Sequence, residues 1–160
     1  MKTYTKILLF TLIFIFVDQI SKGIINLYMN VGESINIIPS FFSLTYVQNN
    51  GAAFSILQNQ RLLLIIISII ALNIIFIFFI KDKLLKKSEI FIYSLLLGGI
   101  VGNLIDRVFL GYVIDFLSFS IFGYDFAIFN LADSFIVIAA CLIFIFMMGD
   151  KSGTHSNERK

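Results

Sequence analysis

Four long apolar runs alternate with shorter stretches in which polar residues and strand-like patterning take over. A hydrocarbon core of ~30 Å needs about 20 helical residues to cross it. The runs fall at about residues 7–27, 62–80, 90–105 and 131–148. The first is broken by Asp18 and Lys22, and the second carries no charge and only Ser68 and Asn73 as polar residues. All four are predicted to be helices, because hydrocarbon leaves backbone groups no partner outside their own segment.

Two of the intervening stretches have a period of two. Phe42, Leu44 and Tyr46 alternate with Ser43, Thr45 and Val47, and Val113, Asp115 and Leu117 alternate with Ile114, Phe116 and Ser118. Both read as strands that can pair with each other. The first should end in a turn at Gln48-Asn49-Asn50-Gly51, with a short interfacial helix over residues 54–60. Pro39, the only proline, falls at the start of this region, where a missing N–H is tolerated. The expected fold is a membrane all-α protein: a four-transmembrane-helix bundle with a small extracytoplasmic β-sheet region and a short interfacial helix. It forms one integral membrane domain over residues 1–160, with outer elements at about 33–60 and 108–128 and a cytoplasmic tail at 149–160.

Composition agrees with lipid as the solvent. Of 160 residues, 59% are hydrophobic and 14% charged, against roughly 45–50% and ~25% in soluble proteins. The run at 7–17 follows Lys2 and Lys6 like a secretory signal, yet no A-x-A-like site follows and it continues into Asp-Gln-Ile-Ser-Lys, so a retained helix is expected. Nine of the twelve lysines and arginines stand with four acids on one side of the predicted spans. Three stand with six acids on the other, giving +5 and −3. The positive side should be cytoplasmic, with both termini inside and the polar residues of interest gathered at the outer end.

The same inventory excludes several chemistries. The lone histidine, His155, lies in the polar tail, so the apolar body holds no Ser-His-Asp or Cys-His pair and no His-based zinc site. One cysteine, Cys141, allows no internal disulfide or thiolate cluster, and its setting in Ile-Ala-Ala-Cys-Leu-Ile suggests a small packing residue. The net charge of +2 is too small for a nucleic-acid binder. No metal or cofactor is expected, and nothing implies an oligomer.

Ionisable groups at membrane depth are functional candidates by default. Asp18, Lys22 and Asn26 share one helical face, and Asp18 and Lys22 can pair at i, i+4, most simply as a structural ion pair. Gly98, Gly99 and Gly102 suit close helix packing. Gly99, Asn103 and Arg107 form one stripe, with Asp106 next to Arg107, and Asn103 and Arg107 read as a polar wall facing a cavity. Glu33 and Asp125 sit in polar loops. Asp115 and Asp133 remain, with no basic residue within four positions of either. Brought together, two such carboxylates hold a single proton over a wide pH range. The ionised acid then takes a proton from water while the protonated one donates to a scissile carbonyl.

Five segments, in order, resemble the motif set of bacterial lipoprotein signal peptidase (signal peptidase II): Asp18-Gln-Ile-Ser-Lys22, Asn49-Asn-Gly-Ala-Ala-Phe54, Gly98-Gly-Ile-Val-Gly-Asn-Leu-Ile-Asp-Arg107, Val113-Ile-Asp-Phe116 and Phe129-Asn-Leu-Ala-Asp-Ser134. The resemblance implies an aspartic endopeptidase of the bacterial cytoplasmic membrane. Such an enzyme removes signal peptides from prolipoproteins by cutting before a diacylglyceryl-modified cysteine. Its partners would be those substrates and membrane lipids. By motif position, Asp115 and Asp133 take the catalytic roles. Asn49, Gly51, Asn103, Arg107, Asn130 and Ala132 line or support the site, and Asp18 and Lys22 brace the first helix. The family's sheet and short helix would correspond to about residues 33–60. Arg107 or Asn49 is expected to hold substrate carbonyl or headgroup oxygens. Residues 118–125 and the tail match no motif.

Other readings are distinguishable. A small four-helix proton-coupled transporter or channel would place its carboxylates nearer mid-span. An intramembrane protease of the Gly-x-Gly-Asp type lacks its motif here, since only Gly123-Tyr124-Asp125 approaches it. A Ser21–Lys22 dyad fails because adjacent helical residues do not face each other.

Overall fold

The computed structural model describes residues 3–51, 57–81 and 86–154. The elements run α1 (Thr3–Tyr28), β1 (Ser34–Ile38), β2 (Phe42–Asn49), α2 (Arg61–Lys81), α3 (Lys87–Phe109), β3 (Val113–Ile121), β4 (Tyr124–Asp125) and α4 (Leu131–Thr154). All four helices are long and apolar enough to cross a membrane, α2 most strongly at a mean hydropathy of 2.8. Each extends past its expected bounds. In particular, α4 continues to Thr154, so the stretch expected as a polar tail begins within the helix.

α3 is the central helix, packed along α1 on one side and α4 on the other, with α2 leaning on it more lightly. Its glycines make this possible. A side chain at Gly99 would meet the Ala132 carbonyl oxygen of α4 at 2.5 Å, and one at Gly102 would meet Asp18 Oδ2 of α1 at 2.5 Å. Positions 98, 102 and 106 thus face α1, and 99 and 103 face α4. The apolar core is correspondingly modest. One cluster joins Ile92, Leu95 and Ala139, and another joins Ile25, Met29, Tyr46, Ile114 and Phe116 beneath the sheet. Most other large apolar side chains point outward, as expected where lipid replaces water. Ala139 turns one face of α4 inward, and Cys141, two residues on, lies about 200° around the helix. Cys141 is exposed and does not fill the packing position expected of it.

The four strands form one antiparallel sheet in the order β1-β2-β3-β4. The two predicted strands pair as expected, with Val47 opposite Asp115 and Asn49 opposite Val113. β2 runs two residues into the expected turn, because the ladder continues through Gln48 and Asn49. The bend starts after it, where Gly51 N donates to Asn49 Oδ1 at 2.8 Å. Pro39 lies in the turn between β1 and β2, next to Ser40 at φ 60°. β1 falls within the 33–60 region that the resemblance assigned to a sheet and short helix but showed no alternation of its own, and β4 was not anticipated. A register shift between Leu44 and Val47 accompanies the burial of Tyr46, whose hydroxyl donates to Asn26 of α1 at 2.7 Å and ties sheet to bundle. Of the interfacial helix expected over 54–60, residues 54–56 lie outside the described residues. Leu57 to Asn59 form a turn, with Leu57 and Asn59 in the left-handed region where a helix cannot continue. At the start of α2, Arg61 donates to the carbonyls of Arg107 (2.7 Å) and Val108 (2.8 Å). These end carbonyls of α3 have no partner within their own helix.

Candidate active site

The site is built where α4 begins. Asn130 is the cap of that helix, and the bonds are reciprocal. Asp133 N donates to Asn130 Oδ1 at 2.9 Å, and Asn130 N donates to Asp133 Oδ2 at 3.3 Å. This satisfies two N–H groups that a helix start leaves open, one of them the cap's own, and fixes Asp133 in the first turn. Ala132 N, a third, donates to Asp18 Oδ1 at 3.0 Å.

Asp115 arrives on β3 from the other side. It is 2% exposed and accepts from Asn130 Nδ2 at 2.6 Å and Asn49 Nδ2 at 2.8 Å. Asp133 Oδ1 accepts from Asn103 Nδ2 at 2.7 Å. Asn130 therefore touches both acids, one through its side chain and the other through its backbone. Both carboxylates line one cavity of about 590 Å³ whose other walls are mostly apolar, including Val113, Phe129, Ile136 and Val137. Among the described residues, no lysine or arginine comes within ion-pair distance of either acid. Burial, then the neighbouring Asp133, push the Asp115 carboxyl up to about 7, against the opposing pull of the Asn49 and Asn130 amides and of Lys22.

Beneath this pair lies a second buried group. Lys22 Nζ meets Asp18 Oδ2 at 2.9 Å and Asp106 Oδ2 at 3.0 Å, and it donates to Asn103 Oδ1 at 2.9 Å. The expected Asp18–Lys22 pair is present but is one side of a triad. Asp106 belongs to Lys22 and not, as sequence proximity suggested, to Arg107. The triad also orients the upper site. Lys22 can only donate, so Asn103 turns its oxygen to Lys22 and its NH₂ to Asp133. Asp106 Oδ2 accepts from Ile114 N at 3.3 Å, anchoring the residue before Asp115.

Gln19 was overlooked in the sequence. It bridges Asp106 Oδ1 (2.9 Å), Asp18 Oδ2 (3.2 Å) and the Gly102 carbonyl (3.2 Å). The signal for it was an amide in an otherwise apolar helical run. Ser21 donates to the Asp18 carbonyl at 2.7 Å, as a helix-bonded serine does. Arg107 reaches the Gly51 carbonyl at 3.3 Å and the cavity wall, which brings Gly51 to the site. Asn49 donates to Asp115, so its amide faces a carboxylate. Of the two residues expected to hold substrate oxygens, Arg107 alone keeps an unbonded donor: its Nε is buried without a hydrogen-bond partner among the described residues.

Four helices long and apolar enough to cross a membrane carry two acids on one mostly apolar cavity, and the match to a known family makes the chain a multi-pass membrane peptidase of aspartic type. Residues 10–149 match the family described as Signal peptidase (SPase) II, and the chain belongs to that family. It is 44% identical to a lipoprotein signal peptidase of Staphylococcus aureus strain MRSA252 over 98% of this chain and 95% of the relative. Identity to that of strain JH9 is 43% over the same shares. Among solved structures, a bacterial membrane enzyme determined by the in meso method at 2.3 Å superposes with a TM-score of 0.86 at 42% identity, covering 92% of this chain and 90% of that one. A second, at 1.9 Å, gives 0.81, also at 42% identity, over 90% and 93%.

Proposed function

We propose that this chain removes signal peptides from diacylglyceryl-modified prolipoproteins by cutting before the lipid-bearing cysteine, and that Asp115 and Asp133 are its catalytic residues. The observation that carries the reading is the pair itself. A buried and a half-buried carboxylate share one cavity and one asparagine, and among the described residues no lysine or arginine lies within ion-pair distance of either. Like charges in a desolvated site retain one proton between them. Water held between the acids loses a proton to the ionised one as its oxygen attacks the scissile carbonyl, and the protonated acid donates to the carbonyl oxygen. The acid that took the water proton then passes it to the leaving nitrogen, while the other recovers a proton from a hydroxyl of the tetrahedral intermediate; the C–N bond breaks and the singly protonated pair is restored. Asn49, Asn103 and Asn130 hold the carboxylates in place. Arg107, which lines the cavity, holds a substrate carbonyl or headgroup oxygen. Gly51 and Ala132 offer backbone groups to Arg107 and Asp18, and Asp18 with Lys22 braces α1 under the site.

A lipid-modified signal peptide is itself a membrane helix and approaches from the side, which suits a cavity walled by Ile136 and Val137 of α4. The whole chain acts as a single membrane domain. The site lies at the extracytoplasmic face, with both termini in the cytoplasm. Lys81, Lys86 and Lys87, at the ends of α2 and α3 away from the site, support that orientation.

The test is to present the purified protein in bilayers with a precursor in lipid-modified and unmodified form and to determine the new amino terminus. Release of a product that begins at the modified cysteine is expected. No cleavage of the modified form, or a proton leak across the bilayer instead, would favour the transporter reading.

A further inference from the structure

The apolar cavity is not the only space against Asp115. A second, of about 530 Å³, is bounded by β2, β4 and the turn before α2. The two share Asn49, Asp115 and the segment 126–128, which is thus a wall common to both. Their other linings differ in kind. Ile136 and Val137 close the first, whereas Gln48, Asn50, Gln58, Asn59 and Asp125 line the second. One carboxylate therefore looks into two spaces, one mostly apolar and the other more polar than apolar.

A peptide bond attacked at Asp115 has one flank in each space. If the substrate is as proposed above, on which this inference rests, its amino-terminal flank is a lipid-soluble helix and its carboxy-terminal flank is a chain bound for water. Matching polarity to polarity puts the second flank in the polar cavity. The only ionisable side chains among the described residues of that lining are Asp115 and Asp125, both acidic. Asp125 is exposed, in β4 opposite Ser120, where its charge meets an incoming chain before the buried acids do. We propose that the polar cavity is the subsite for the residues that follow the cysteine, and that Asp125 there favours a cationic side chain and disfavours an anionic one.

The experiment compares lipid-modified precursors that differ only in Lys or Glu at each of the three positions after the cysteine. It measures the ratio of kcat/KM within each pair for the wild type, Asp125→Asn and Asp125→Lys. The ratio cancels any general loss of activity in a variant. At low ionic strength the wild type should prefer Lys by about two- to fivefold at the most sensitive position, the range of a solvent-exposed charge pair. The preference should shrink in salt, fall towards unity in Asp125→Asn and invert in Asp125→Lys. Equal ratios in all three proteins at every position would overturn the proposal while leaving the peptidase reading intact. Failure of the wild type to cleave any precursor would overturn both.

Discussion

Four of the acids of this chain are gathered at one end of the bundle, in two sets that the fold treats in opposite ways. Asp18 and Asp106 close on Lys22, with Gln19 and two backbone N–H groups supplying further bonds. Asp115 and Asp133 lie one asparagine away and receive only amides. Carboxylates closed on a cation can cement helices. Carboxylates given donors without a compensating cation retain a proton that chemistry can use. The lower set also holds the upper one, since Lys22 turns Asn103, Asp106 holds the start of β3 and Asp18 holds the start of α4. Structure and reactivity are thus assigned to neighbouring pairs of the same residue type, and the presence of a cation decides which is which.

The comparison breaks most sharply at the reactive pair. Asp115→Asn or Asp133→Asn alone should reduce cleavage of a lipid-modified precursor by about 10²–10⁴-fold, with the folded protein and its binding of precursor retained. Cleavage within tenfold of wild type in either variant would remove the pair from the mechanism. At the structural set, Lys22→Met strands two buried carboxylates without their cation, and a loss of about 3–5 kcal/mol in stability is expected, read as a fall in Tm in detergent. Gly99→Val forces a side chain onto the Ala132 carbonyl and should cost about 1–3 kcal/mol while displacing the start of α4. The mildest change is Asn49→Ala. Its amide stabilises the charged form of Asp115, so its removal should move the alkaline limb of the pH–rate profile upward and lower the rate by about tenfold or less.

The legible part of this architecture was what depends on short range. The spans follow from run length, and the β2–β3 pairing follows from alternation in two segments. Asp115 and Asp133 stood out because their sequence neighbourhoods hold no cation, and in three dimensions neither forms an ion pair among the described residues. Long-range choices were hidden. Asp106 sits beside Arg107 in sequence, yet its partner Lys22 is 84 residues away, because the helical turn that aims position 106 at α1 carries position 107 towards Gly51. β1 was not placed by pattern, since its short run, Ser34–Ile38, is exposed throughout, so no buried face imposed one. Cys141 was misplaced for a related reason: in lipid an outward face is as apolar as an inward one, and composition cannot distinguish them.

That the upper pair carries one exchangeable proton is most directly examined by infrared difference spectroscopy of the protein in bilayers, following the carbonyl stretch of a protonated carboxyl between pH 5 and 9. One band should vanish as pH rises through about 7, the value to which burial and Asp133 bring Asp115; it should be missing from Asp115→Asn and titrate at lower pH in Asp133→Asn, where burial alone still raises it. A pair ionised throughout that range, or a band that titrates unchanged in either variant, would contradict the account.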